Sequence, residues 1–185
     1  TFRKCKFLQP PGSSSGNCIL IGTTGLPALQ SLHWIFDSCI FYTLTNATAI
    51  SITYASSASG SDWDVDIVLS NSILICRTTS NCITFSKGGA NSILAGGLAI
   101  KNCNIIAGAG SCLAISTGSS TTVPCVVYNS LLIAGAATGA LVAVNVGEIL
   151  SAMNMTCAAT SRTNVTAGTG DISNTYCPLL ELGQS

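Results

Sequence analysis

The chain has 185 residues, seven basic and seven acidic side chains, a formal net charge of zero and only 8% charged residues, against about 25% in an ordinary soluble domain. That balance leaves no electrostatic footprint for nucleic acid and no polybasic patch for an anionic membrane. With 48% apolar residues, the chain is too hydrophobic for a disordered coil and long enough for one continuous core.

In chain order, the first element is Thr1-Phe2-Arg3-Lys4-Cys5-Lys6, which holds three of the seven basic residues. The run Pro10-Pro11-Gly12-Ser13-Ser14-Ser15-Gly16 follows and reads as a hinge, so residues 1–16 are expected to be an N-terminal arm, hinge or cap. The start at Thr1, without methionine or a signal-type segment, is expected of a processed product or of a fragment of something longer. From residue 17 a unit recurs: Asn or Asp, a small residue, then an aliphatic run. Its copies are Asn17-Cys18-Ile19-Leu20-Ile21, Asp37-Ser38-Cys39-Ile40-Phe41, Asn71-Ser72-Ile73-Leu74-Ile75, Asn102-Cys103-Asn104-Ile105-Ile106 and Asn129-Ser130-Leu131-Leu132-Ile133, with Asn154-Met155 a degenerate sixth. The anchors stand 20, 34, 31, 27 and 25 residues apart. A second motif, small residue first and alternating aliphatics next, follows each anchor by ten to twelve residues. It reads Ala28-Leu29, Ala49-Ile50-Ser51-Ile52, Cys82-Ile83-Thr84-Phe85, Cys112-Leu113-Ala114-Ile115 and Ala140-Leu141-Val142-Ala143-Val144.

Period-two alternation between Gly-, Ser- and Thr-rich turns predicts short strands rather than helices. A unit of two or three short strands cannot bury its own apolar face, whereas stacked units bury a continuous column. The expected fold is all-β, a single-stranded parallel β-helix (β-solenoid) of about five to six coils over residues 17–157, with 158–185 a C-terminal cap or tail. The uncharged stretch Leu131–Gly147 is apolar enough to raise a membrane span. It fits the repeat in register and has no basic flank, so no span is expected.

The N-[SC]-x-[IL]-[IL] run resembles the right-handed parallel β-helix superfamily, shared by pectate-lyase-like enzymes, phage tailspikes and fibres, and bacterial surface adhesins. The resemblance implies a right-handed coil and a ladder of stacked corner residues at Asn17, Asn71, Asn102 and Asn129, with Asp37 a departure. Gly96-Gly97-Leu98-Ala99-Ile100 also resembles, once, the GGAI repeats of polymorphic outer-membrane proteins.

Ten cysteines without a CxxC pair fit an oxidising exterior and up to five disulfides better than a zinc site. The second motif places Cys82 and Cys112 in one column on consecutive coils, between Ala49 and Ala140. Parallel strands about 4.8 Å apart fall within the Cα separation of a disulfide, so Cys82–Cys112 is the expected bridge. The same column also reads as stacked buried thiols acting as small hydrophobes. Cys18 and Cys103 share a motif position three coils apart and are not expected to pair. Cys5 and Cys177, in the flanks, would tether the ends or link neighbouring subunits. Asn46, Asn154 and Asn164 head glycosylation sequons.

Asp62-Trp63-Asp64-Val65-Asp66 is the one acidic cluster. Alternation puts its three carboxylates on one strand face, where they suit calcium, an acid/base pair or a solvated outer face that discourages aggregation. Trp63 and Trp34 are candidates for stacking on sugars. His33, the sole histidine, reads as structural, since no nucleophile or base stands at a suitable spacing. Arg77 and Arg162 have no acidic sequence neighbour, so neither the lyase nor the polygalacturonase pattern is met, and no catalytic residue is assigned. Gly88-Gly89 and Gly108-Ala109-Gly110 lack the Lys-Ser/Thr of a phosphate loop.

With aliphatics inward, the surface is left to 24 Ser, 20 Thr and 12 Asn, too little charge to keep a monomer well dispersed. The first expectation is a non-enzymatic structural protein: a disulfide-stapled β-helix assembling with copies of itself into a fibre, sheath or appendage at an extracellular, cell or virion surface. The alternative is a carbohydrate-binding or adhesive module with glycan partners. A polysaccharide lyase or hydrolase centred on Asp62, Asp64 and Asp66 comes third.

Overall fold

A computed structural model describes residues 1–9, 16–24, 30–44, 47–55, 63–77, 81–88, 94–117, 125–135, 139–143, 149–158 and 162–174. Their strands come in triplets along the chain. The first is β1 (Phe2–Arg3), β2 (Lys6–Leu8) and β3 (Ile19–Thr24); the second is β4 (Gln30–Asp37), β5 (Ile40–Thr43) and β6 (Ile50–Ala55). The third is β7 (Trp63–Ser70), β8 (Ile73–Cys76) and β9 (Ile83–Gly88); the fourth is β10 (Leu94–Lys101), β11 (Asn104–Ala107) and β12 (Leu113–Thr117). The fifth is β13 (Cys125–Tyr128), β14 (Leu131–Ala134) and β15 (Leu141–Val142); the sixth is β16 (Ile149–Ala152), β17 (Met155–Cys157) and β18 (Arg162–Thr163), followed by β19 (Ile172–Asn174).

Three parallel sheets result: sheet A is β1-β4-β7-β10-β13-β16, sheet B is β2-β5-β8-β11-β14-β17-β19 and sheet C is β3-β6-β9-β12-β15-β18. The chain visits A, B and C in rotation six times, so each strand bonds to the one three elements later. Only β19, which joins β17, breaks the count. This arrangement is all-β, without helices among the described residues, and consistent with a parallel β-helix. Strands β1 and β2, inside residues 1–16, already pair with β4 and β5, and β18 and β19 extend sheets C and B beyond Cys157. The apolar stretch from Leu131 supplies β14 and β15, and no helix of the described residues is long and apolar enough to cross a membrane.

Side chains alternate across each strand, and in-register pairing turns that alternation into columns. Inward columns run Phe36, Leu69, Ile100, Val127 in sheet A and Phe41, Leu74, Ile105, Leu132 in sheet B. Sheet C contributes Ile50, Ile83, Leu113, Leu141 and Ile52, Phe85, Ile115. All of these are buried, and each fully buried aliphatic or aromatic side chain contributes about 1.5–3 kcal/mol. At the N-terminal end the columns become aromatic. Phe2 stacks on Phe36 with ring centroids 5.2 Å apart and on Trp34 at 5.7 Å, and Phe7 stacks on Phe41 at 4.7 Å.

Where the chain leaves sheet B, the backbone packs too closely for a side chain. A Cβ on Gly108 would lie 2.5 Å from the Arg77 carbonyl oxygen, and one on Gly135 would collide with the Gly108 carbonyl. The glycines are therefore part of this exit.

Leu74 is fully buried in the middle of its column, so Leu74→Ala is expected to destabilise the fold by about 2–5 kcal/mol. Denaturant unfolding followed by far-ultraviolet circular dichroism measures the loss.

Candidate functional site

The turn from sheet A into sheet B repeats in every pass. In-register residues Arg3, Asp37, Ser70, Lys101, Tyr128 and Ala152 end the strands of sheet A. The next residue of each pass, Lys4, Ser38, Asn71, Asn102, Asn129 or Met153, has φ between +46° and +57°. Left-handed backbone costs an ordinary L-residue about 1–2 kcal/mol and is best tolerated by Gly, Asn and Asp, which accounts for three successive asparagines. Their side chains bond along the stack. Asn129 Nδ2 donates to Asn102 Oδ1 at 2.9 Å, Asn102 Nδ2 to Asn71 Oδ1 at 3.3 Å, and Asn71 Nδ2 to Asp37 Oδ1 at 2.8 Å.

Asp37 closes this one-way ladder as an acceptor-only carboxylate, which also accepts from Ser70 Oγ at 3.0 Å. The hydrogen bonds from Asn71 and Ser70 hold its carboxyl below the ordinary range, with the Arg3 charge adding to them against desolvation. Asp37 is not a corner residue, however. It stands one position earlier than the asparagines, in register with Ser70, and Ser38 takes the left-handed place. Asn17 lies outside this ladder: Cys18-Ile19 leads into sheet C, in register with Ala49-Ile50, because the first pass turns from A to B at Arg3-Lys4-Cys5.

Beneath each left-handed residue sits a small inward side chain: Cys5, Cys39, Ser72, Cys103, Ser130 or Asn154. Ser72 Oγ donates to the Ser70 carbonyl at 2.7 Å and accepts from Cys39 N at 3.0 Å. Ser130 repeats this with the Tyr128 carbonyl at 2.9 Å and Cys103 N at 3.1 Å. The Cys103 thiol donates to the Lys101 carbonyl at 3.2 Å, and burial pushes its pKa up to about 11. Sequence reasoning registered these positions only as small residues.

A second column precedes sheet C: Cys18, Ala49, Cys82, Cys112 and Ala140, joined by bonds such as Ile50 N to the Cys82 carbonyl and Ile83 N to the Cys112 carbonyl. Cys82 and Cys112 are neighbours there but are not bridged in this structure. Both are buried thiols, and each donates to a carbonyl of sheet B: Cys82 to Ile106 at 3.3 Å, Cys112 to Ile133 at 3.2 Å. None of the nine cysteines among the described residues is disulfide-bonded, Cys5 included, and Cys177 lies outside those residues.

On the outer face of sheet A, His33 and Asp66 stand in register, and His33 Nδ1 lies 3.2 Å from Asp66 Oδ2 with both side chains about half exposed. Beside them Gly97 leaves a shallow depression of about 150 Å³, floored by Val68, Ala99 and Val126. Of the acidic row, Asp62 lies outside the described residues, and Asp64 and Trp63 occupy the start of β7, in register with Ser31 and Gln30. Among the described residues no three His, Cys, Asp or Glu side chains gather as metal ligands. Trp34 is turned inward, stacked on Phe2 and Phe36. It shares strand parity with buried Phe36 and is itself half-buried.

The C-terminal end of the core is polar. Asp171, its side chain fully buried, accepts from Ser151 Oγ and Gly168 N, both at 2.7 Å, and from Asn154 N at 2.8 Å, with Arg162 Nη2 at 3.3 Å. Asn154 is 1% exposed, and its Nδ2 donates to the Val127 carbonyl at 2.7 Å, so this sequon is closed in the fold. Asn164 Nδ2 is likewise bonded, to the Ala143 carbonyl at 3.0 Å, and Asn46 lies outside the described residues.

Comparison of the chain with protein-family models, with curated proteins and with solved structures finds no match.

Two outcomes are expected. Asn102→Ala loses the ladder bonds and strains the corner, about 2–4 kcal/mol together; Asn102→Gly recovers about 1 kcal/mol of that by relieving the strain. Denaturant unfolding of the pair separates bonding from backbone. Burial raises the Asp171 pKa, but the hydrogen bonds from Ser151, Asn154 and Gly168 and the charge of Arg162 outweigh it, leaving a net depression. A carboxyl depressed in the folded state stabilises above its unfolded pKa of about 3.9, and that stability is lost as pH falls through the folded value. Asp171→Asn is therefore expected to lower the melting temperature at pH 7 and to converge on wild type near pH 2, measured by thermal unfolding at both.

Proposed function

We propose that the chain is a right-handed parallel β-helix of six coils and a non-enzymatic structural subunit. It assembles with copies of itself into a fibre, sheath or appendage at an extracellular, cell or virion surface. Connections between parallel strands of one sheet are right-handed in about 98% of cases, which supports the hand.

The observation that carries the function is the outer face of sheet B. Two in-register columns, Ile40, Ile73, Asn104, Leu131, Met155, Ile172 and Tyr42, Ile75, Ile106, run along it, the second ending in Ile133, which is buried against Cys157, Ile106 and Leu131. No charged residue interrupts the strands of this sheet from β5 through β19. Ile73, Met155 and Ile172 are 38%, 43% and 59% exposed. Parallel sheets are ordinarily covered on both faces, and a contiguous apolar face marks an interaction surface. Uncharged neighbours add no repulsion to oppose lateral packing.

Glycan binding is the second reading, favoured by the His33–Asp66 pair beside the Gly97 depression and by exposed Tyr128 on the same sheet. The inward turn of Trp34 weakens it.

Size-exclusion chromatography and negative-stain electron microscopy of native protein separate the readings. Ordered multimers or fibres that Ile73→Lys and Met155→Lys disperse, with circular dichroism unchanged, are expected. A stable monomer that binds a glycan array through His33 and Asp66 would replace assembly with adhesion.

A further inference from the structure

We propose that His33 and Asp66 form a binding site for a divalent transition-metal ion of the zinc, nickel or copper class on the outer face of sheet A. The site rests on neither the assembly nor the glycan reading.

Strands β4 and β7 pair in parallel along their whole length, and that register sets His33 directly beside Asp66. Two backbones about 4.8 Å apart thus hold an imidazole next to a carboxylate, with His33 Nδ1 3.2 Å from Asp66 Oδ2. Zinc bonds imidazole nitrogen at about 2.0–2.1 Å and carboxylate oxygen at about 2.0–2.2 Å, and two such bonds at an angle between about 90° and 109° span about 2.9–3.4 Å. The observed separation lies inside that interval, so one cation reaches both atoms by rotation of the side chains, without movement of the strands.

The surroundings leave room for it. Strand β1 covers only Phe36 and Asp37 of β4, so no strand among the described residues pairs with His33 on its far side. On the other flank, the residue in register with Asp66 is Gly97, which has no side chain and opens the depression of about 150 Å³ that Asp66 helps to line. The two side chains are 56% and 55% exposed, so a cation enters without desolvating a buried charge, and water completes its coordination. An exposed ion pair contributes little to stability, and trading that contact for two metal bonds therefore costs the fold little.

The donor set selects the ion. As a row of carboxylates, Asp62, Asp64 and Asp66 suit calcium, which takes about six to eight oxygen ligands. The structure instead gives Asp66 an imidazole neighbour that lies 33 positions away along the chain. Imidazole suits zinc, nickel and copper, whereas calcium and magnesium favour oxygen alone. With two ligands from the protein, the site keeps open positions, unlike a closed structural zinc centre.

His33 is the sole histidine, so its imidazole supplies the only histidine ring signals in a nuclear magnetic resonance spectrum. Zinc chloride is titrated into the intact chain near neutral pH while those signals are followed, with calorimetry of the same titration in parallel. The expected result is a saturable shift of the ring signals that an equal concentration of calcium does not produce. Asp66→Asn, which keeps the side chain's size, is expected to weaken zinc by about tenfold or more, a loss that even outer-shell partners of a metal produce. Ring signals that stay in place overturn the proposal. So does a shift that Asp66→Asn leaves at wild-type affinity, because His33 is then a lone ligand. Zinc binding that His33→Ala retains at full strength places the metal elsewhere and overturns it too. Both substitutions fall on exposed side chains, and circular dichroism confirms that the variants are folded. The oligomeric state enters none of these readouts, so this site and the assembly reading fail separately.

Discussion

Six times the backbone must turn from sheet A into sheet B through a single residue held at positive φ, and the rest of the structure depends on that corner. The conformation is costly for most side chains, so the position selects for asparagine, whose amide then bonds to the same amide one pass away. Three asparagines and one aspartate thus form a chain of hydrogen bonds parallel to the stack. A register slip of one residue would turn every inward column outward. It would also break this ladder, so corner and core enforce the same register.

The two ends of the stack are finished differently. Toward the N-terminus the inward columns end in half-buried rings: Phe2 and Phe7 stack on Phe36 and Phe41 of the next pass, and Trp34 stacks on Phe2 and Phe36. Toward the C-terminus three of the columns change chemistry in their last step. Val127 gives way to Ser151, Leu132 to Thr156 and Ser173, and Leu141 to Arg162. A stack of strands exposes its core at its ends unless something closes it. Here a set of mutually bonded polar groups around Asp171 does so at one end, and the carboxylate gives the Arg162 charge a partner where an isolated one would be expensive.

The short strands and their stacking in successive units were legible because period-two alternation and a small residue before each aliphatic run survive variable turn lengths. The second motif likewise carries the register Ile50, Ile83, Leu113, Leu141. Other features left no such trace. Asp37-Ser38-Cys39-Ile40 and Asn71-Ser72-Ile73 look alike, and only pairing shows them offset by one residue. Asn17-Cys18-Ile19 satisfies both motifs equally, so its corner was misread. Strands of two or three residues such as β1 and β2 are too short to show a period. His33 and Asp66 meet only because two eight-residue strands align across 33 positions, and the Asp171 cluster joins residues whose only common property is an end of the stack.

The corners also change what ten cysteines imply. At the A-to-B corner Cys5, Cys39 and Cys103 alternate with Ser72 and Ser130, and before sheet C Cys18, Cys82 and Cys112 alternate with Ala49 and Ala140. These positions admit only small side chains, and a thiol fills them as a small hydrophobe that still offers a weak donor to a nearby carbonyl. Six of the cysteines are thus accounted for by size alone, before any oxidation is invoked. An inference of compartment from the bare count therefore overstates its case. Cys76 belongs to a further column of the same kind in sheet B, in register with Thr43, Ala107 and Ala134, all of them buried.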